Sequence, residues 1–182
     1  MKRVLLLVLA AGVLSAQGAA AESSIGLRAI GGSLAYVSPD NLDGTIAFGV
    51  FADLGRVAPP VGLEPRIEYW SQSQEAFGTK ASVHDLTLGM RGKYYFPVEK
   101  TKVRPFAGAG LGFHFIKAEA TVSAPGFPTM SSEASDTKLG LDLGGGIVTG
   151  LSPKVDLNAE LWYGIVSDIN QLALRVGISS KL

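Results

Sequence analysis

The sequence contains no cysteine. This excludes a disulfide framework, a thiolate metal site and the cysteine-dependent signal of a lipoprotein, so any exported product must be held together by its own backbone pairing and packing. Long apolar runs are scarce: after Ala21 none approaches the roughly 20 residues of a membrane-spanning helix, although 47% of the residues are hydrophobic. Helix-period patterning is missing too. Neither sign of charge is in excess, because sixteen Lys and Arg offset sixteen Asp and Glu, and a nucleic-acid partner therefore has no electrostatic support. There is no long linker, low-complexity tract or charge block. The hydrophobicity is spread by alternation.

The N-terminus is patterned differently. Lys2 and Arg3 precede an apolar run from Val4 to Leu14, and Ala19, Ala20 and Ala21 supply small residues for a signal peptidase. This arrangement predicts an export signal over residues 1–21, with cleavage after Ala21. The remaining residues 22–182 are the length of one domain.

That domain divides into eight alternating segments separated by turn residues: about 24–38, 44–54, 63–71, 82–96, 104–118, 137–151, 155–166 and 171–182. Pro39, Asp40, Asn41, Asp43 and Gly44 mark the first turn, Pro59, Pro60 and Gly62 the second, Pro97 the fourth, and Ser152, Pro153 and Lys154 the sixth. The connection over 56–62 is long for a tight turn, 72–80 is a polar separator, and 119–136 is the longest connection, rich in Ser, Thr, Pro and Gly.

Successive strand side chains point to opposite sides of a sheet, so parity assigns faces. Leu86, Leu88, Met90, Tyr94 and Phe96 oppose Asp85, Thr87, Gly89, Arg91 and Lys93; Leu172, Leu174, Val176 and Ile178 oppose Gln171, Ala173, Arg175 and Gly177. A soluble antiparallel sheet alternates as well, with its apolar face inside, so alternation alone does not choose between a buried and a lipid-facing apolar surface. Three further features favour lipid outside. Glycine concentrates on the polar parity, at Gly108, Gly110, Gly112, Gly140, Gly144 and Gly146, where a narrow charged lumen needs positions without side chains. Aromatic residues on the apolar parity, Tyr69, Tyr94, Phe96, Phe113, Phe115 and Tyr163, fall toward strand ends as an interfacial girdle would. Polar connections also alternate with mostly short turns, as expected when both chain ends share the periplasmic side.

In this pattern the chain resembles the small eight-stranded outer-membrane β-barrels of Gram-negative bacteria, the OmpA-like transmembrane domains. The resemblance spans the whole mature chain and rests on strand pattern. Members typically end on an aromatic residue, and here the last residue is Leu182. The resemblance implies an all-β fold, an eight-stranded antiparallel up-and-down transmembrane β-barrel; the peptidoglycan-binding domain that some relatives carry is not expected, since the sequence ends with its barrel. It also implies an outer-membrane location, outer-membrane lipid and the outer-membrane assembly machinery as partners, a monomer, and no cofactor.

The inward parity then collects Arg28, Glu64, Arg66, Glu68, Asp85, Arg91, Lys93, Asp142, Asp156, Glu160 and Arg175. Their signs nearly balance, and charges in a confined lumen must find partners or water, so mutual pairing into a lumen network is expected in preference to an ion-selective path. Glu160 with Arg175 is the most specific pair, since both face inward at similar distances from a shared turn. Trp70 and Trp162 share the inward parity, where they fill space rather than form a ligand shelf. The two histidines make no catalytic or metal pattern: His84 and Asp85 point to opposite faces, and no serine stands beside His114 on its strand. The spacing of Gly108, Gly110 and Gly112 does not fit a phosphate loop. A non-enzymatic envelope-structural or surface-interaction protein with a narrow or closed lumen is expected. The alternatives are a passive porin-like channel, a lipid-modifying enzyme, and a soluble periplasmic ligand-binding barrel. No residue pattern singles out a surface partner.

Overall fold

A computed structural model describes residues 24–40, 42–76, 79–99, 101–122, 129–167 and 169–182. The expected export signal over residues 1–21 lies outside the described residues. Alternating side chains and turn residues at each end make eight strands: β1 (Ser24–Pro39), β2 (Thr45–Ala58), β3 (Val61–Ala76), β4 (Thr79–Tyr95), β5 (Val103–Val122), β6 (Met130–Ser152), β7 (Val155–Val166) and β8 (Gln171–Lys181). Each strand pairs antiparallel with the next, and β8 returns to pair with β1, from Ala29 opposite Lys181 to Pro39 opposite Gln171, closing the ring. The backbone amide of Leu182 also donates to the carbonyl of Arg28 at 2.9 Å. Closure leaves no free edge within the ring.

Several strands run further than their apolar alternation indicates. β2 reaches Ala58 and β3 starts at Val61, so the connection expected over 56–62 shrinks to a Pro59–Pro60 turn with a cis bond. The turn is entered through a bulge at Gly55, whose φ of 76° suits glycine. The polar stretch after Ser71 continues β3 and pairs with β4 as far as Ala76 opposite Thr79. Most of the expected 119–136 connection is likewise strand, with β5 and β6 paired up to Val122 opposite Met130. By contrast, β2 pairs with β3 only as far as Ala47 opposite Trp70, and β6 with β7 only as far as Gly140 opposite Val166. A four-stranded sheet of β3, β4, β5 and β6 therefore rises above the ring on the side away from the chain ends.

The ring is inverted relative to a water-soluble core. Leu34, Phe48, Ile67, Leu111, Leu139, Leu161 and Leu174 face outward and are exposed, whereas Arg66, Arg91, Lys93, Glu160 and Arg175 are buried inside. A continuous apolar outer band around a charged interior is stable only where hydrocarbon replaces water outside. The closed ring satisfies the backbone groups that such a medium cannot.

Candidate functional site

Inside the ring, side chains stack in three layers. The middle layer holds four carboxylates and four cations drawn from five strands: Glu64, Arg66 and Glu68 on β3, Arg91 and Lys93 on β4, Asp142 on β6, Glu160 on β7 and Arg175 on β8. Asp142 accepts from Arg66 Nη2 at 2.5 Å and Arg91 Nε at 3.2 Å. Arg66 Nη1 also donates to Glu68 at 3.0 Å. Lys93 joins Glu64 to Glu160, the latter at 2.7 Å. Arg175 sits directly across the ladder from Glu160. It lies 3.6 Å from that carboxylate, while its other guanidinium nitrogen contacts Glu68. The nearest partners of Glu160 are Lys93 and the indole of Trp162, which donates to it at 2.7 Å.

Glycine makes this density sterically possible. A Cβ at Gly110 would stand 2.7 Å from the Arg91 side chain, and one at Gly144 the same distance from the Trp162 ring. The Arg91 guanidinium lies 3.9 Å over that ring, a cation–π contact inside a desolvated lumen. β5 adds no charge to the layer; Gly108, Gly110 and Gly112 give it the room that Arg91, Trp162 and Thr87 occupy.

An apolar layer lies on either side. Toward the chain ends, Phe106, Val148 and Trp162 pack with Tyr95. Toward the opposite rim, Trp70, Ala35, Val37, Ala47 and Ala173 pack with Leu42, Val83 and Ile169. Trp70 and Trp162 are both almost fully buried. Between the Trp70 layer and the ion pairs, Asp85, Thr87 and His114 form a compact cluster: His114 Nδ1 lies 2.8 Å from Asp85 and 3.0 Å from the Thr87 hydroxyl. Asp85 thus belongs to this separate group rather than to the main network. Its link to His114 bridges two strands, which no local spacing reveals.

Arg28 corrects the expected set. It lies at the chain-end rim, where β1 shifts register between Ile25 and Ala29, and its guanidinium reaches the Ser24 carbonyl at 3.5 Å instead of a lumen carboxylate. Asp156 is also at that rim, held by Arg104 at 3.0 Å and Lys181 at 2.7 Å.

Tyr69, Tyr94, Phe96, Phe113, Phe115 and Tyr163 all face outward. Tyr94 and Phe96 meet edge to face, 5.2 Å between centroids, near the chain-end rim. Tyr69 and Phe115 flank Leu86 at the other border of the apolar band, and Phe113 lies one step inside it, level with Leu88 and Leu139. Just past that border Tyr69 bonds His84 at 2.9 Å. Above it on the raised sheet, Lys117 bridges Glu119 at 2.7 Å and Glu133 at 3.1 Å. Hydrogen bonds from Lys117 lower the pKa of Glu119, and the same contacts raise that of Lys117. Among the described residues no group of three or more His, Asp or Glu side chains is placed to hold a metal ion.

The sequence profile of the outer membrane protein beta-barrel domain matches residues 6–181. Among solved structures, a major outer membrane protein from Thermus thermophilus superposes with a TM-score of 0.65 at 14% identity, over 86% of this chain and 98% of that one. Neisserial surface protein A (NspA) gives a TM-score of 0.58 at 19% identity over 85% and 95%. The attachment invasion locus protein Ail of Yersinia pestis gives 0.56 at 13% identity over 88% and 100%. These likenesses are of fold. A search of curated protein sequences finds no match.

Proposed function

The chain belongs to the outer membrane protein β-barrel family and resides in the bacterial outer membrane, and from that premise we propose that it is a non-enzymatic, monomeric surface protein with a sealed lumen. Residues 1–21 direct export and are removed, the assembly machinery inserts the mature chain, and both chain ends face the periplasm. The raised sheet of β3 to β6 then stands on the cell surface. Its outer strands carry the interaction role, through residues 71–75 of β3 and 130–137 of β6.

The observation that carries the sealed lumen is the layering. Four carboxylates are matched by four cations, apolar side chains pack toward each rim, and the cavity of about 260 Å³ that Glu64 and Lys93 share with the chain-end rim stops at the paired charges. A selectivity device needs an excess of one sign along an open path; a neutral, capped network stabilises the wall and excludes ions. The same caps leave Asp85, Thr87 and His114 without a substrate route, which supports a structural role for that cluster.

Single-channel recording in planar bilayers separates this reading from the porin-like alternative. Conductance near the baseline is expected, and a large, stable, ion-selective conductance of the parent protein would favour the pore. Cysteines introduced singly at Ser132 and Lys102 provide the test of orientation. A membrane-impermeant reagent applied to intact cells should label position 132 and spare position 102.

A further inference from the structure

The outer wall is not uniform. Between Phe51 opposite Arg66 and Arg56 opposite Gly62 the β2–β3 ladder is interrupted, so Ala52 to Gly55 have no regular partner across the seam. Pro65, on the β3 side, brings no N–H to a ladder. At the same place the outward side chains become small. Ala52 and Pro65 form the floor of an apolar groove of about 850 Å³, walled by Leu27 and Ile30 on one side and Met90 and Leu111 on the other. The exposed surface of the groove is almost entirely apolar, so it offers nothing to a headgroup.

The groove is continuous with the lipid-facing band: Ile30, Met90 and Leu111 belong to the outward parity that meets hydrocarbon around the ring. Whatever enters it comes from the membrane and has the chemistry of a hydrocarbon chain. Left unfilled, the recess would lack dispersion contacts on both the protein and the lipid side. We propose that it is a binding site for one acyl chain of a phospholipid, seated against the interrupted β2–β3 seam and held longer than the chains surrounding the rest of the barrel. This needs only a barrel in a bilayer; it depends neither on the state of the lumen nor on which rim faces the periplasm.

The test is native mass spectrometry of the full barrel, reconstituted with phosphatidylethanolamine and phosphatidylglycerol vesicles and then extracted into detergent. The parent should emerge carrying a single phospholipid. Ala52→Trp places a ring on the groove floor and should lower the retained fraction about tenfold, the equivalent of 1.4 kcal/mol. Ala52→Leu, a smaller filling for the case in which tryptophan prevents folding, should give a partial loss. Ala159→Trp, at an outward small residue on β7 remote from the groove, should retain lipid as the parent does. The proposal is overturned by a parent that carries no phospholipid or only detergent, by Ala52 variants that retain as much as the parent, or by an equal loss in Ala159→Trp.

Discussion

At the scale of single residues, the lumen is a neutral set in which most charges answer to more than one partner. Glu160 lies 2.7 Å from Lys93 and 3.6 Å from Arg175, so its coupling to Lys93 should be the larger. Lys93→Met would strand Glu64 and take from Glu160 its nearest cation, and removing one member of a buried pair costs about 3–5 kcal/mol. A double-mutant cycle of Lys93→Met with Glu160→Gln, read by reversible unfolding in vesicles, should give a coupling energy toward the upper part of the about 0.5–3 kcal/mol range for contacting residues. The cycle with Arg175→Met should give less. On the opposite face, Leu174→Arg should destabilise the inserted barrel by about 2–4 kcal/mol, whereas Thr87→Ser, which keeps the inward hydroxyl, should change little. Parity made these faces readable, because a charge between two leucines must look the other way. It did not reveal which charges meet: Arg28 alternates with outward Ile25 and Leu27 but does not share the parity of inward Ala29, Ala35 and Val37, because β1 shifts register between Ile25 and Ala29, and Asp85 meets His114 through a pairing between different strands.

Among the elements, alternation located the eight strands but not their full lengths. It is strong while one parity faces hydrocarbon, as in Leu172, Leu174, Val176 and Ile178 of β8. It fades where both faces meet water, so the upper parts of β3, β5 and β6 read as polar loop although backbone pairing carries them on to Ala76, Val122 and Met130. There the sheet is supported by side-chain pairs such as Lys117 with Glu119 along β5 and with Glu133 across to β6. The lowered pKa of Glu119 means its contribution is present above the unfolded glutamate value and is lost as pH falls through the lowered folded value. The raised pKa of Lys117 means its contribution is present below the unfolded lysine value and fades as pH rises through the higher folded one. Titration of the Glu119 carboxyl by NMR should therefore give a midpoint below that of free glutamate, returning toward it in Lys117→Met. An unchanged midpoint in the variant would remove the pairing from the account of the raised sheet.

For the molecule as a whole, seven of the eight seams join strands adjacent in sequence, and the eighth joins β1 to β8, with Ala29 opposite Lys181. A chain ending at Asn170 lacks β8 and would leave edges on β1 and β7 in hydrocarbon, where each unpaired backbone group costs several kcal/mol. Such a truncation should yield no protease-resistant inserted species, and recovery of a stable seven-stranded product would contradict that expectation. The terminal seam also has a kinetic meaning. The hairpins form through short loops, but joining the first strand to the last orders nearly the whole barrel and carries the largest loop-closure entropy of any seam. Contacts of such sequence separation form slowly. Until they do, two hydrogen-bonding edges remain available to neighbouring chains, so the lifetime of the open ribbon governs how much protein is lost to aggregation during assembly.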